Sequence, residues 1–258
     1  MSVRAGAEPY AHDGDDIGIL LCHGFTGNPS SLRPWAQTLA EAGHTVLLPR
    51  LPGHGTSWPE MNRTRWSDWY AEVDTAFRAL REKSRVVVVA GLSMGGALAL
   101  GLAQQHPRGE AGVDAVVLVN PSVLIEDRRS VLLPVLRWIA PSLPPVGNDI
   151  KKPGAVEDAY DRIPPHALHS MLRGYRTVVQ NLPAVTQPVL LFRSPEDHVV
   201  PAASSALILN RISSTEIEEV LLPDSYHVAT LDNDAPQIFA RTLSFVDEIA
   251  ARVTGGRS

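Results

Sequence analysis

The chain has 258 residues, a net charge of −5 and one cysteine, Cys22. Its 44% of hydrophobic and 20% of charged residues are typical of a globular domain that can bury a substantial core. A negative net charge without a basic run excludes a nucleic-acid surface, because phosphate binding needs clustered Lys and Arg. One cysteine excludes an intrachain disulfide and a multi-thiolate metal site, which favours a reducing environment.

Two segments bear on localisation. The N-terminal segment lacks the apolar stretch that a secretory signal requires. The uncharged run 86–103 is about as long as a short transmembrane helix, but its interior glycines and serine favour a buried strand followed by a helix. We therefore expect a cytoplasmic protein without a transmembrane segment.

Predicted strands and helices alternate along most of the chain. Short apolar or β-branched runs predict strands, and amphipathic or small-residue runs predict helices. In chain order these are strand 17–22, helix 30–42, strand 45–48, helix 66–83, strand 85–90, helix 94–105, strand 115–119, strands 189–192 and 217–222, and helix 235–251. This alternation predicts an α/β fold with a mostly parallel sheet that is flanked by helices on both faces.

The segment 122–182 interrupts this alternation. It has no convincing buried strand and is rich in proline. We interpret it as an inserted helical cap, with residues 1–121 and 183–258 forming the core. The alternative is a set of ordinary crossover helices, but a single crossover rarely needs about 60 residues.

The predicted cap contains a run of apolar residues. We expect most of them to pack the cap onto the core, with lining of a binding pocket or contact with a lipid surface as the alternatives. They are Val131, Leu132, Leu133, Val135, Leu136, Trp138 and Ile139.

The residues Gly91-Leu92-Ser93-Met94-Gly95 match the pattern Gly-x-Ser-x-Gly. The pattern is weak evidence alone, but here a valine-rich strand leads directly into it and a helix rich in Gly and Ala follows. A serine on such a sharp turn presents its hydroxyl as a nucleophile, and the glycines avoid collisions with the adjoining strand and helix. Ser93 is therefore the predicted nucleophile; a buried serine at a helix N-cap is the alternative.

Attack on a carbonyl also needs N–H donors for the oxygen that becomes negatively charged. The residue after the nucleophile, Met94, offers one backbone N–H at the start of its helix. The second is expected from the loop after an early strand, residues 23–27, where Phe25 is the candidate donor. We call this segment the oxyanion loop. His23 lies in this loop and His54 lies near it in the predicted fold, and we expect both side chains to hydrogen-bond its backbone.

The serine hydroxyl requires a general base, which a carboxylate orients. In this arrangement the acid follows the nucleophile in the chain and precedes the base. Asp197 is the candidate acid because it lies in a loop at the C-terminal end of the predicted strand 189–192. Glu196 is the neighbouring alternative, and Asp224 is a weaker one that is more typical of a Pro-Asp turn.

The candidate base is His227. It follows the last predicted strand and precedes the last predicted helix, as the chain order requires. His198 is adjacent to Asp197 and therefore badly placed to be oriented by it. The remaining histidines all precede Asp197 in the chain.

Several motifs, in the same chain order, resemble those of α/β hydrolases, in particular small bacterial carboxylesterases and monoacylglycerol lipases. They are His23-Gly24-Phe25-Thr26-Gly27, Pro52-Gly53-His54-Gly55, Gly91-Leu92-Ser93-Met94-Gly95-Gly96 and Ser225-Tyr226-His227-Val228. The resemblance implies an α/β-hydrolase fold in which the cap shapes an apolar acyl pocket. It also implies the triad of Ser93, Asp197 and His227, with Phe25 and Met94 as oxyanion donors. The short N-terminal segment leaves little chain for the antiparallel strands that commonly begin this fold.

The expected function is that of a serine hydrolase. We expect it to cleave carboxylic esters with small to medium acyl chains through an acyl-enzyme, without a cofactor, and monoacylglycerols are among the candidate substrates. A thioesterase, a peptidase or a C–C bond hydrolase on the same triad is the alternative, because fold and triad do not define the substrate. A ligand receptor with slow turnover is another. The expected partners are a small-molecule ester and, through the cap, a transient lipid surface.

Overall fold

The computed structural model describes residues 2–126, 132–145 and 148–255. The strands in these ranges are β1 (Tyr10–His12), β2 (Ile17–Cys22), β3 (Thr45–Leu48), β4 (Val86–Leu92), β5 (Ala115–Val119), β6 (Val189–Arg193) and β7 (Ile217–Leu221). The α-helices are α1 (Arg33–Glu41), α2 (Trp58–Met61), α3 (Trp66–Lys83), α4 (Met94–Gln105), α5 (Leu133–Ile139), α6 (Pro165–Gln180), α7 (Ala202–Arg211) and α8 (Ala235–Gly255).

The strands form one seven-stranded sheet in the order β1-β3-β2-β4-β5-β6-β7. β1 pairs antiparallel with β3, and every other neighbouring pair is parallel. The central strands β2, β4 and β5 are buried along their whole length. Continuous apolar runs of this kind belong to strands that are covered on both faces. The predicted mostly parallel sheet is confirmed.

Side chains of β2 show how the two faces are covered. Leu20 and Cys22 belong to a core cluster with residues of α3, α4 and α6. Ile19 and Leu21 point to the other face, where they belong to a cluster with residues of α1 and α8. Alternate residues of a strand face opposite sides of the sheet, so a short apolar strand supplies both cores.

The edge strand β1 was not predicted. Tyr10–His12 is short, and its residues are half-buried or exposed, so it carries no apolar pattern. It is defined by its antiparallel pairing with β3, in which Tyr10 lies opposite Leu48. The short N-terminal segment therefore supplies one antiparallel edge strand.

The uncharged run 86–103 divides into strand β4 and helix α4, as predicted. Within the described ranges, no helix combines the length and the apolar character needed to cross a membrane. The central hydrophobic segment of the chain is thus part of the sheet and its covering helix.

The segment between β5 and β6 contains α5 and α6. Helix α6 packs against α3 and α4. At one close approach, a Cβ at Gly174 would lie 2.1 Å from Cδ2 of Trp66. The cap boundaries at 122 and 182 stay a prediction.

Candidate active site

Ser93 occupies a sharp turn between β4 and α4. Its backbone is left-handed, with φ of 57° and ψ of −120°, a conformation that costs a non-glycine residue of order 1–3 kcal/mol. A Cβ at Gly91 would lie 2.2 Å from the backbone of Gly95, and a Cβ at Gly95 would lie 1.8 Å from the carbonyl oxygen of Cys22. Both glycines are thus sterically required, as expected for a nucleophile on a sharp turn between a strand and a helix.

The turn presents Ser93 next to the oxyanion loop. Ser93 is half-buried, whereas Leu92 and Met94 on either side of it are buried. A Cβ at Gly24 would lie 3.6 Å from the Cβ of Ser93. Met94 is the first residue of α4, so the positive end of the helix dipole lies at the nucleophile. The structure therefore brings together the serine, a helix N-terminus and the loop of Phe25.

The side chain of His23 stabilises the oxyanion loop by hydrogen bonds. The Nε2 atom of His23 accepts a hydrogen bond from the N–H of Leu51 at 3.2 Å, which leaves Nδ1–H to donate to the carbonyl oxygen of Gly24 at 3.0 Å. Burial lowers the pKa of His23 to about 4, so the ring is neutral at neutral pH. The predicted bond from His23 to the oxyanion loop is confirmed.

The corresponding expectation for His54 is wrong. Its Nδ1 lies 3.2 Å from the carbonyl oxygen of Pro52 in its own loop. The tight turn at Gly53, with a φ of 76°, folds the loop back on itself. The His54 ring instead packs edge-on against Trp69 and Phe25, with ring centroids 5.2 Å and 6.5 Å apart. The pKa of His54 lies well below its usual value, and burial is the main cause.

Asp197 and His227 form a buried pair. Nδ1 of His227 lies 2.8 Å from Oδ2 of Asp197, and the two side chains are 8% and 7% exposed. The other oxygen, Oδ1, accepts the N–H groups of Val199 and Val200 at 2.8 and 2.7 Å. Burial acts to raise the pKa of Asp197, but these hydrogen bonds and the charge of His227 outweigh it, so the pKa lies below its usual value. An ionised Asp197 orients Nδ1–H toward itself and leaves Nε2 as the basic nitrogen.

The alternative acids lie elsewhere. Glu196 is exposed, and its carboxylate is 3.9 Å from Nζ of Lys151. Asp224 is also exposed and forms an ion pair with the same lysine at 3.3 Å. Of the candidate acids, Asp197 is the one that the structure brings to His227.

Asn120, at the end of β5, contacts the site and was not predicted from the sequence. Its Nδ2 donates to the carbonyl oxygens of His227 and Tyr226 at 2.8 and 3.2 Å and to Oγ of Ser194 at 3.0 Å. Its Oδ1 accepts the N–H of Ser194 at 2.8 Å. Asn120 therefore ties the loop that carries His227 to the end of β6, and its backbone is left-handed, with φ of 42°, a conformation that Asn adopts more readily than most residues.

Glu157, in the predicted cap, was also missed. A Cβ at Gly27 would lie 2.9 Å from Oε1 of Glu157, so this carboxylate contacts the oxyanion loop. Burial raises its pKa, and the charge of nearby His227 acts in the opposite direction. No motif marked Glu157 in the sequence, because the oxyanion loop that it contacts lies about 130 residues earlier in the chain.

A family model described as "Serine aminopeptidase, S33" matches residues 16–234. The chain belongs to this family of α/β hydrolases. A thermostable monoacylglycerol lipase from Bacillus sp. (strain H-257) is 42% identical, with 94% of this chain and 95% of the relative covered. A carboxylesterase from Bacillus subtilis (strain 168) is 24% identical, with 94% and 97% covered.

A solved structure from work on two metagenome-derived lipolytic enzymes, LipS and LipT, has a TM-score of 0.92 and 41% identity to this hydrolase. It covers 96% of this chain and 100% of its own. The structure of a monoacylglycerol lipase from Paleococcus ferrophilus, at 18% identity, has a TM-score of 0.76 over 97% of this chain and 99% of its own. The predicted α/β-hydrolase fold is confirmed, and the chain is a hydrolytic enzyme.

Helix α5 exposes most of its apolar side chains in this hydrolase. Leu133 is buried, but Leu132, just before the helix, and the side chains of Val135, Trp138 and Ile139 are exposed. Val131 lies outside the described residues. The expectation that most of these residues pack against the core is therefore wrong for the described ones. The physical reason is that the main packing partner of α5 in the described ranges is α6, which covers one side of the helix.

The described ranges offer neither a metal site nor a reactive thiol. There, no cluster of His, Cys, Asp and Glu could hold a metal ion. Burial raises the pKa of the Cys22 thiol to about 12. Cys22 is therefore a neutral thiol and a poor nucleophile at neutral pH.

Proposed function

We propose that this hydrolase cleaves monoacylglycerols and related carboxylic esters of small to medium acyl chain through an acyl-enzyme on Ser93. The chain is an ester-hydrolysing enzyme. The observation that carries it is the 2.8 Å hydrogen bond between His227 and Asp197. Both residues follow strands whose C-terminal ends lie at the same sheet edge as the Ser93 turn.

The chemical steps follow from these positions. Nε2 of His227 takes the proton of the Ser93 hydroxyl as the oxygen attacks the ester carbonyl, and returns it to the leaving alcohol. Asp197 stays ionised and stabilises the imidazolium that forms between these steps. The backbone N–H groups of Phe25 and Met94 stabilise the oxyanion, and each such donor accounts for about 10²–10³ in kcat. Water activated by His227 then releases the acid.

The alcohol side of the substrate is proposed to meet Glu157. Its carboxylate lies against the oxyanion loop and within electrostatic range of His227. A carboxylate accepts hydrogen bonds from hydroxyl groups, and a charged acceptor forms stronger ones than a neutral acceptor. A glycerol leaving group carries two free hydroxyls, whereas a simple alkyl alcohol carries none. Glu157 therefore supports a polyol ester as the substrate.

The acyl donor is proposed to reach the enzyme from a lipid surface. The exposed apolar side chains Val135, Trp138 and Ile139 lie on one face of α5, and exposed apolar patches are typical of surfaces that contact protein or membrane. Monoacylglycerols are amphiphiles that collect in lipid aggregates. The chemistry of the patch and that of the proposed substrate therefore agree.

The test is turnover of monoacylglycerols and p-nitrophenyl butyrate by Ser93→Ala, together with labelling by a fluorophosphonate. We expect the wild-type enzyme to be labelled and to turn over both esters, and Ser93→Ala to lose both properties. Ser205→Ala, a buried serine of α7, is the matched control. Wild-type turnover by Ser93→Ala contradicts the proposal.

The same experiment separates the alternative functions. Stoichiometric labelling with negligible turnover of every ester favours a slow-turnover receptor. Because the family model is described as a serine aminopeptidase, the substrate panel includes amino-acid p-nitroanilides and thioesters. Faster turnover of one of these than of monoacylglycerols favours a peptidase or thioesterase.

A further inference from the structure

The segment of residues 148–152, within the predicted cap, contacts the loop that carries His227. We call it the return segment. The N–H groups of Lys151 and Lys152 donate to the carboxylate of Asp232 at 2.7 and 2.8 Å. The same carboxylate accepts the N–H of Tyr226 at 2.9 Å. The return segment is thereby joined, through buried Asp232, to the loop that carries Tyr226 and His227.

Within the return segment, Asp149 makes the contacts closest to the proposed base. Its Oδ2 accepts the N–H of His227 at 3.2 Å and the N–H of His198 at 3.0 Å. Its Oδ1 lies 2.7 Å from Nδ1 of His198. Its carbonyl oxygen accepts the N–H of Val228 at 3.0 Å. One side chain, 14% exposed, therefore bonds both loops of the proposed acid and base.

The loops that carry Asp197 and His227 are separate in sequence, but the proposed catalysis requires a defined position of one relative to the other. The hydrogen bond between Asp197 and His227 joins atoms that are carried by different loops, and its geometry depends on the relative position of the two backbones. A displacement of about 1 Å in a catalytic group can cost about 10² in rate. Asp149 belongs to neither loop and bonds the residue after Asp197 as well as His227 itself.

We propose that Asp149 is a positioning residue, which holds the backbone of His227 and the loop of Asp197 in the relative position that their hydrogen bond requires. This inference rests on the proposed function, because it assigns a role toward that triad. It also gives the cap a part in the chemistry, since the return segment is continuous with α5 and α6 in the chain.

The charges around Asp149 and His198 favour contact between these two side chains. His198 faces the carboxylate of Asp149, and Glu196 lies 3.9 Å from its Nε2. The ring of Tyr226 packs edge-on against the ring of His198, with centroids 4.7 Å apart. The hydrogen bond and charge of Asp149 raise the pKa of His198, with smaller contributions from Glu196 and Asp197. When His198 is protonated, its charge strengthens the bonds by which Asp149 holds the loop of Asp197.

The variants Asp149→Ala and Asp149→Asn test the proposal. The alanine removes all the side-chain acceptors, and we expect kcat on p-nitrophenyl butyrate to fall about 10- to 100-fold with KM within about twofold. The asparagine keeps an oxygen that can accept both N–H groups, and the neutral His198 ring can accept from its amide. We expect kcat of Asp149→Asn to stay within about threefold of wild type.

A purely structural role predicts a different pattern. Asp114→Asn is the matched control, because Asp114 is a buried carboxylate that accepts the N–H of Val87 at 2.7 Å and pairs with Arg81 at 2.8 Å. It lies at the opposite end of the sheet, so we expect a lower Tm but a normal kcat per active site. Active sites are counted by end-point fluorophosphonate titration, which corrects kcat for unfolded enzyme.

Two results overturn the inference: a wild-type kcat per titrated site in Asp149→Ala, or an Asp149→Asn enzyme as slow as Asp149→Ala. Ser93→Ala is measured in the same series. Turnover without Ser93 would mean that the proposed function fails, whereas full turnover without Asp149, with Ser93 essential, would mean that only this inference fails.

Discussion

At the C-terminal edge of the sheet, the side chains of the proposed acid and base are buried and held by hydrogen bonds, whereas most large apolar side chains of α5 are exposed. Asp197 accepts bonds from His227, Val199 and Val200. Trp138 and Ile139 of α5 are 73% and 74% exposed. The first arrangement restricts atoms to one geometry, and the second leaves apolar area in contact with water.

The difference separates two tasks. General base catalysis needs atoms placed within a fraction of an ångström, so buried and hydrogen-bonded groups suit it. Contact with a disordered lipid surface needs apolar area without a defined geometry. Substitutions at the sheet edge should therefore change kcat strongly on every ester, and substitutions on α5 should change only the use of aggregated substrates.

The largest expected effect follows from Asp197→Asn. The amide keeps the shape of the side chain but can donate to Nδ1 of His227, which favours the tautomer with the proton on Nε2. We expect kcat on p-nitrophenyl butyrate to fall about 10⁴-fold, as when the acid of a serine triad is neutralised. The measurement is steady-state turnover with circular dichroism as the check on folding.

Asp224→Asn is the control for this substitution. Asp224 was the weaker alternative acid, and its exposed carboxylate pairs with Lys151. Because exposed ion pairs contribute about 0–1 kcal/mol, we expect kcat within about twofold of wild type. A loss in Asp224→Asn as large as that in Asp197→Asn would contradict the assignment of the acid.

The sheet edge was also the more predictable region. Strand β4 and helix α4 were predictable because a valine run and a small-residue helix flank the Ser93 turn, and the need for glycine at Gly91 and Gly95 is local. The approach of Asp197 to His227 was predictable because parallel strands place their C-terminal ends at one edge. These inferences use short-range patterns and one topological rule.

Other parts of the site depend on contacts between distant segments. Asn120 bonds a carbonyl 107 residues away, and Asp149 bonds an N–H 78 residues away. A single polar residue without a motif gives no sign of such a partner. The exposure of α5 was missed for a similar reason: an apolar run shows that a helix has an apolar face, but the neighbouring elements decide whether that face is covered.

An intermediate effect is expected from Glu157→Gln, which tests the only charged group that we place at the alcohol side. Hydrogen bonds to charged groups contribute about 1.5–3 kcal/mol and are about twice as strong as those to the neutral amide oxygen that Gln keeps, so we expect KM for a monoacylglycerol to rise about three- to tenfold. KM for p-nitrophenyl butyrate, whose leaving group has no free hydroxyl, should stay within about twofold. Equal changes in both KM values would show that Glu157 shapes the site without recognising the glycerol group.

The smallest effect is expected on α5. In the double variant Val135→Ser and Ile139→Ser, two exposed apolar side chains become polar, and their exposure predicts a change in Tm of no more than a few degrees. We expect kcat on soluble p-nitrophenyl butyrate to be unchanged, and co-sedimentation with phosphatidylcholine vesicles to fall several-fold. Ile217→Ser, which removes an exposed apolar side chain from the edge strand β7, should leave co-sedimentation unchanged. If the α5 double variant and Ile217→Ser both bind vesicles like the wild type, α5 is not the lipid contact. The proposed separation of lipid contact on α5 from catalysis at the sheet edge is then wrong.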